Sequence, residues 1–147
     1  MIDHKFIGYR TPPFEVEVEK GRLRLFAKAI GETDPKYFDE NAARAAGFRS
    51  LPVPPTFFFC LEMERADPYD WFNDLGIPLG QVLHGSQSFT YHRTACAGDV
   101  LTYDAEVVDI YEKKGGALQF VVQRIHVRGA DGALVAEFDR SVVIRWS

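Results

Sequence analysis

The sequence predicts an α+β domain in which an antiparallel sheet wraps around one long buried helix. Three observations point there. The chain changes character near residue 80, from helix and loop signals to period-two alternation. Four segments beyond that point are long, β-branched and aromatic, with turn residues between them. One stretch before it, residues 56–65, is apolar nearly all round a helix and must therefore be buried. With 147 residues, 46% of them hydrophobic, the whole chain (1–147) is expected to form one domain with a substantial core.

Taken in order, "FEVEVEK" alternates as an N-terminal strand, and "EKGRLRLFAKAIG" places Leu23, Phe26, Ala27 and Ile30 at helical spacing. Gly31 stands where a helix end favours the left-handed conformation. Asp39 is placed to cap a short alanine-rich helix, "ENAARAA", which Gly47 would end. Pro52, Pro54 and Pro55 keep the approach to the apolar helix extended. Beyond it, "VLHGSQSFTYHR", "DVLTYDAEVVDIYEK", "ALQFVVQRIHVRG" and "ALVAEFDRSVVIRW" read as strands. "AGD", "KKGG" and "GADG" read as tight turns between them, so the strands are expected to follow one another as a meander. A sheet curled around one apolar helix is the hot-dog arrangement. Architecture alone names no function.

Bulk properties exclude some classes. A formal charge of −4 argues against capture of a nucleic-acid backbone. The longest apolar stretch is far short of the roughly 20 residues of a membrane-spanning helix. "MIDHKFIGYR" lacks the apolar region of a signal peptide, so a soluble cytoplasmic protein is expected, with no membrane or nucleic-acid partner. Cys60 and Cys96 belong to no metal-ligand cluster and read as reduced small hydrophobes.

Two runs carry a family resemblance. They are "EVEKGRLRLFAKAIGETDPKYFDENAARAAGFRSLPVPPTF" and "LHGSQSFTYHRTACAGDVLTYDAEVVDIYEKKGG". The sequence resembles the MaoC-like dehydratases, in the N-terminal-type branch that includes the non-catalytic-type subunits of (3R)-hydroxyacyl-ACP dehydratases. The resemblance implies a hot-dog fold paired into a double hot dog, acting on enoyl or 3-hydroxyacyl thioesters of coenzyme A or acyl carrier protein. It implies no metal and no redox cofactor. In active members a Gly-Asp-x-Asn-Pro-x-His motif holds one water between Asp and His, and amides at the central helix start bind the thioester oxygen. Preorganised N–H groups there stabilise the charge that builds on that oxygen while an acid/base pair moves the proton.

Laid on this motif, Gly31 and Pro35 match, Glu32 falls at the Asp, Asp34 at the Asn and Tyr37 at the His. A phenol ordinarily ionises near pH 10 and an imidazole near pH 6.5, so tyrosine is a poor replacement as a base at neutral pH. The loop also has a purely structural reading, in which Asp34 and Pro35 make a turn, Asp39 caps and Tyr37 and Phe38 pack. Thr56 and Phe57, at the start of the apolar helix, fall at the thioester-oxygen site, where Pro55-Thr56 replaces the His-Gly of active members. His84 and His92 share strand parity with Ser86, Ser88 and Thr90, opposite Phe89 and Tyr91, which puts them on the polar face. A displaced site pairing His84 with Glu32 is a further candidate. "FFFCLEM" could line an acyl tunnel, with Trp71 and Phe72 as a lid over it, or both could be core. Arg44, Arg49 and Arg93 are scattered and read as surface charges.

The resulting expectation is a subunit of a hydratase or dehydratase with a degenerate dyad. Its catalytic candidates are Glu32, Tyr37 and His84, its substrate-binding candidates Asp34, Thr56 and Phe57, and it has no metal or cofactor. The partner would be a second copy or a hot-dog subunit carrying Asp and His, and the isolated chain is expected to be weak or inactive. The alternatives are a non-catalytic module that binds acyl-CoA, and a hot-dog thioesterase.

Overall fold

The computed structural model describes residues 1–146. Five strands form one antiparallel sheet: β1 (Arg10–Glu17), β2 (Val82–Tyr91), β3 (Val100–Lys113), β4 (Leu118–Arg128) and β5 (Leu134–Arg145). Four short helices accompany them: α1 (Lys20–Ala29), α2 (Glu40–Ala45), α3 (Phe57–Glu62) and α4 (Asp70–Leu75). This is the hot-dog arrangement, with α3 against the concave face of the sheet.

The spatial order is β1-β3-β4-β5-β2, which corrects the expected meander. β3, β4 and β5 follow one another as hairpins, but β2 lies beside β5 at the far edge and β1 takes the place beside β3. The link from β2 to β3 is therefore not a hairpin. It travels across the molecule, where Val53 N–H donates to Ala95 O at 2.9 Å and Ala97 N–H to Leu51 O at 2.9 Å. Gly98 N–H then donates to Val18 O at 2.8 Å. Every backbone group of that link needs a partner, and the proline-rich approach to α3 supplies several.

Period-two alternation puts Leu101, Tyr103, Ala105 and Val107 of β3 and Ala136, Phe138, Val142 and Ile144 of β5 in the interior. The central helix is six residues long, shorter than the run that reads as helical, because turns replace helix after Glu62. It is anchored by the Tyr103 hydroxyl, which donates to Phe58 O at 3.0 Å. Phe57 packs on Phe26 of α1 with ring centroids 4.8 Å apart. α1 buries Leu23 and Ala27, while Ile30 lies exposed at its end and Gly31 takes φ 74°. Residues in the 70s break the expected patterns yet form α4, whose Trp71, Phe72 and Leu75 are buried. Trp71 and Phe72 are thus core side chains at a cavity wall.

The apolar interior falls into two clusters. One gathers α1 and α3 with residues of β1, β3, β4 and β5, and the other gathers Ile2, α4, Val107, Ile110, Val121, Val142 and Ile144. The cross-strand pair Ile125–Phe138 belongs to the first and Val121–Val142 to the second, and between them stands Gln123–Arg140. Glu62 of α3 closes this polar seam from above.

Candidate functional site

The loop after α1 spends its carboxylates on its own backbone. Glu32 Oε1 accepts from the N–H groups of Thr33 at 2.8 Å and Asp34 at 3.0 Å. Asp34 Oδ1 accepts from Lys36 N–H at 3.1 Å and its other oxygen meets Lys36 Nζ at 2.9 Å. Those bonds from Lys36 hold the Asp34 carboxyl below the usual carboxylate range. Asp39 caps α2 by accepting from Ala42 N–H at 2.8 Å. Tyr37 is half-buried, with Lys36 Nζ 5.1 Å from its ring centroid, and lines a cavity of about 340 Å³ with Pro55, Phe58, Tyr91 and His92.

Of the two helix-start residues, Thr56 is exposed and caps nothing with its hydroxyl. Phe57 has its ring in the core, and its N–H already donates to Pro54 O at 2.9 Å, inside the turn that starts α3. An acyl oxygen would have to break that bond to use this amide.

His84 does not lie on the polar face with Ser86, Ser88 and Thr90. The strand register shifts between His84 and Ser86, so His84 pairs with interior-facing Val142 while Gln87 pairs with Arg140 and Phe89 with Phe138. The bulge centres on Gly85, where a Cβ would lie 2.6 Å from Val143 Cγ2 and 3.1 Å from Ser141 O. One extra residue thus inverts the parity of everything before it. His92, beyond the strand, keeps the polar face and meets Glu137 at 3.2 Å.

His84 consequently faces a second cavity, of about 410 Å³, between α3, α4 and β2. Its walls are Phe59, Met63, Trp71, Phe72, Val82 and Val142 with Tyr69, Leu79 and Leu83, and its polar members are His84, Gln87 and Arg140. The Phe59 and His84 ring centroids are 6.5 Å apart. Among the described residues no hydrogen bond or ion pair joins Glu32, Tyr37 and His84: Tyr37 lines one cavity, His84 the other, and Glu32 neither.

The polar seam has no counterpart in the sequence reading. Arg140 is 7% exposed and Glu62 8%. Arg140 Nη1 and Nη2 donate to the two Glu62 oxygens at 3.0 and 3.1 Å, and Nη2 also donates to Gln123 Oε1. Its Cζ lies 5.7 Å from the Trp71 ring centroid. Burial pushes the Glu62 carboxyl up, against the opposing pull of Arg140. The signal was present: Arg140 shares parity with Phe138 and Val142, and Glu62 interrupts an otherwise apolar helix. Arg49 and Arg93 are not scattered either. They line one groove, paired with Asp99 at 2.9 Å and Asp131 at 2.5 Å respectively.

At the sheet edges, β1 carries Pro12 and Pro13 within a register shift, which bars another strand from pairing there. β2 pairs only with β5, has no proline, and exposes Leu83 (53%) and Tyr91 (47%). Among the described residues no helix is long and apolar enough to cross a membrane.

The family described as FAS1-like, dehydratase domain region, matches residues 5–138. A UPF0336 protein of Streptomyces avermitilis is 32% identical over 136 residues, covering 92% of this chain and 91% of its own. Among solved structures, the HadBC (3R)-hydroxyacyl-ACP dehydratase complex of Mycobacterium tuberculosis aligns at TM-score 0.81 and 27% identity. That match covers 94% of this chain and 96% of the other. The ChsH1-ChsH2 complex of the same organism aligns at TM-score 0.73 and 27% identity, covering 93% and 89%.

Proposed function

Because the chain belongs to the family of FAS1-like dehydratase domain regions, on the MaoC-like hot-dog fold, we propose that it is one subunit of an enoyl-thioester hydratase or 3-hydroxyacyl-thioester dehydratase. In this reading it shapes the acyl channel, and a paired hot-dog subunit carries the Asp/His dyad. The observation that supports it most is the division of labour in the site. The carboxylates of the opening loop are held by their own backbone, a phenol stands where a base is needed, and an apolar cavity opens between α3, α4 and β2.

Adding water across the C2–C3 double bond needs a base for the water proton and donors for the thioester oxygen. Glu32, Tyr37 and His84 do not converge on one reacting atom, and Phe57 N–H is engaged by Pro54. Asp34, Thr56 and Phe57 then serve as framework, Asp34 in the loop turn and Thr56 and Phe57 at the start of α3. The cavity has the size and lining of a small-molecule site, and acyl carbons against Phe59, Met63, Trp71 and Phe72 would be driven in by burial of apolar surface. Pairing through the open edge of β2 would extend the sheet into a partner and cover Tyr91 and Leu83. The HadBC and ChsH1-ChsH2 structures are themselves two-protein complexes. A water-soluble chain acting in the cytoplasm is consistent with this role.

The test is hydration of crotonyl-CoA and longer enoyl-CoAs by the purified chain, alone and mixed with a hot-dog protein that carries Asp and His. Hydration that appears only in the mixture is the expected result. Comparable hydration by the isolated chain would defeat the subunit reading, and release of free thiol from saturated acyl-CoA would favour a thioesterase instead.

A further inference from the structure

Three of the four histidines lie against a carboxylate. His4 meets Glu112 at 3.2 Å, His92 meets Glu137 at 3.2 Å and His126 meets Asp104 at 3.0 Å. The His84 ring alone has no hydrogen-bond or ion-pair partner among the described residues. The bulge at Gly85 turns that ring toward the cavity between α3, α4 and β2, where it stands beside Phe59. Bulges of this kind recur where a strand re-aims one side chain at a site. The cavity also has a direction. Trp71, Phe72 and Val142 on its wall are buried, while Tyr69, Leu79 and Leu83 are exposed and mark its open side. His84 is exposed as well and belongs to that open side, whereas Arg140 is buried and bonded to Glu62 and Gln123. A neutral imidazole carries one donor and one acceptor nitrogen. An accessible one without a partner, at the mouth of an apolar cavity, suits the polar end of a ligand whose remainder is apolar.

We propose that His84 binds the thioester carbonyl oxygen at the open side of the cavity, so that the acyl chain enters tail first and its oxygen stops at the imidazole. The proposal rests on the channel reading above. A plain acyl group has one oxygen, at the end opposite its methyl. Burial of its carbons against Phe59, Trp71 and Phe72 sets the direction of entry, and the oxygen is then the atom left at the mouth. The helix-start amide that could serve the same oxygen, Phe57 N–H, is committed to Pro54 O at 2.9 Å, and the imidazole N–H supplies a donor in its stead. One such N–H occupies one of the two lone pairs of a carbonyl oxygen and leaves the other for a donor of the paired subunit.

Calorimetric titration of the full chain tests this with ligand pairs that differ at the carbonyl alone: octanoyl-CoA against S-octyl-CoA, and the six- and ten-carbon pairs. At the best-fitting length the acyl thioester is expected to bind roughly fivefold more tightly than the thioether. In His84→Leu and His84→Phe that difference should vanish or reverse, while the thioether binds within about twofold of its original affinity. Equal binding of thioester and thioether by the unmodified chain overturns the carbonyl contact and leaves the channel standing. A preference that survives in both His84 variants, or that Tyr69→Phe removes instead, gives the oxygen to another donor and overturns the role of His84. Equal weakening of both ligands in the His84 variants makes His84 a packing residue and overturns it too. If 3-hydroxyoctanoyl-CoA gains over octanoyl-CoA and His84→Leu removes only that gain, the imidazole meets the 3-hydroxyl and the carbonyl assignment falls. Failure of every ligand to bind overturns the channel reading itself.

Discussion

Gly85 and Arg140 each show one residue determining more than its own position. At Gly85 an alanine Cβ would press on Val143 and on the Ser141 carbonyl, so the strands must part or the bulge must move. Gly85→Ala is expected to cost about 1–3 kcal/mol, read as a lower urea midpoint. The amides of β2 should also exchange faster with solvent. Arg140→Met leaves the Glu62 carboxylate buried without its partner and is expected to cost about 3–5 kcal/mol. Adding Glu62→Leu to Arg140→Met should recover most of that loss, because an apolar pair of similar volume needs no counter-charge. No recovery in the double variant would mean that the seam holds the two cores together in some other way.

Among the elements, β2 and the link that follows it carry the site. β2 brings His84 and Gln87 to one cavity and Tyr91 to the other, and the link then returns across the molecule to start β3. Asp99 pins the end of that link. It accepts from Cys96 N–H at 2.9 Å and meets Arg49 in two bonds of 2.9 Å each. Burial alone would raise its carboxyl, but the Arg49 bonds and the Cys96 amide outweigh it and hold the group below its ordinary value. A lowered folded value means stability that is present above the unfolded value, near about pH 3.9, and lost as pH falls through the folded one. Urea midpoints measured against pH should therefore drop less steeply below about pH 4 in Asp99→Asn than in the unmodified chain.

At the same scale, strand existence was legible because alternation over ten or more residues is a strong signal. Strand order was not. Nothing local to "AGD" distinguishes a hairpin from a crossing, and only the partners of Val53, Ala97 and Gly98 settle it. The Asp39 cap was readable from its spacing, whereas the face of His84 was misread because a bulge at one glycine breaks the period that parity depends on. Arg140 escaped notice for the opposite reason: its parity was right, but a charge on the apolar face becomes visible only when faces are compared across strands.

For the whole molecule, one sheet edge is closed by prolines and the other is open. The open edge should be where a second hot dog docks. Leu83→Lys and Tyr91→Lys replace exposed apolar side chains there and are expected to weaken association by at least tenfold in sedimentation equilibrium, while the monomer's thermal midpoint moves by no more than a few degrees. Unchanged association would move the interface elsewhere.

The most direct test of where the chemistry resides is hydration by the paired enzyme in which this chain carries Glu32→Gln and Tyr37→Phe together. Both substitutions keep shape, and the glutamine amide introduced by Glu32→Gln retains a carbonyl oxygen for the Thr33 and Asp34 N–H groups. A rate within about threefold of the unmodified pair is expected. A loss of roughly a hundredfold or more, the scale of a missing acid or base, would place the reacting groups in this chain.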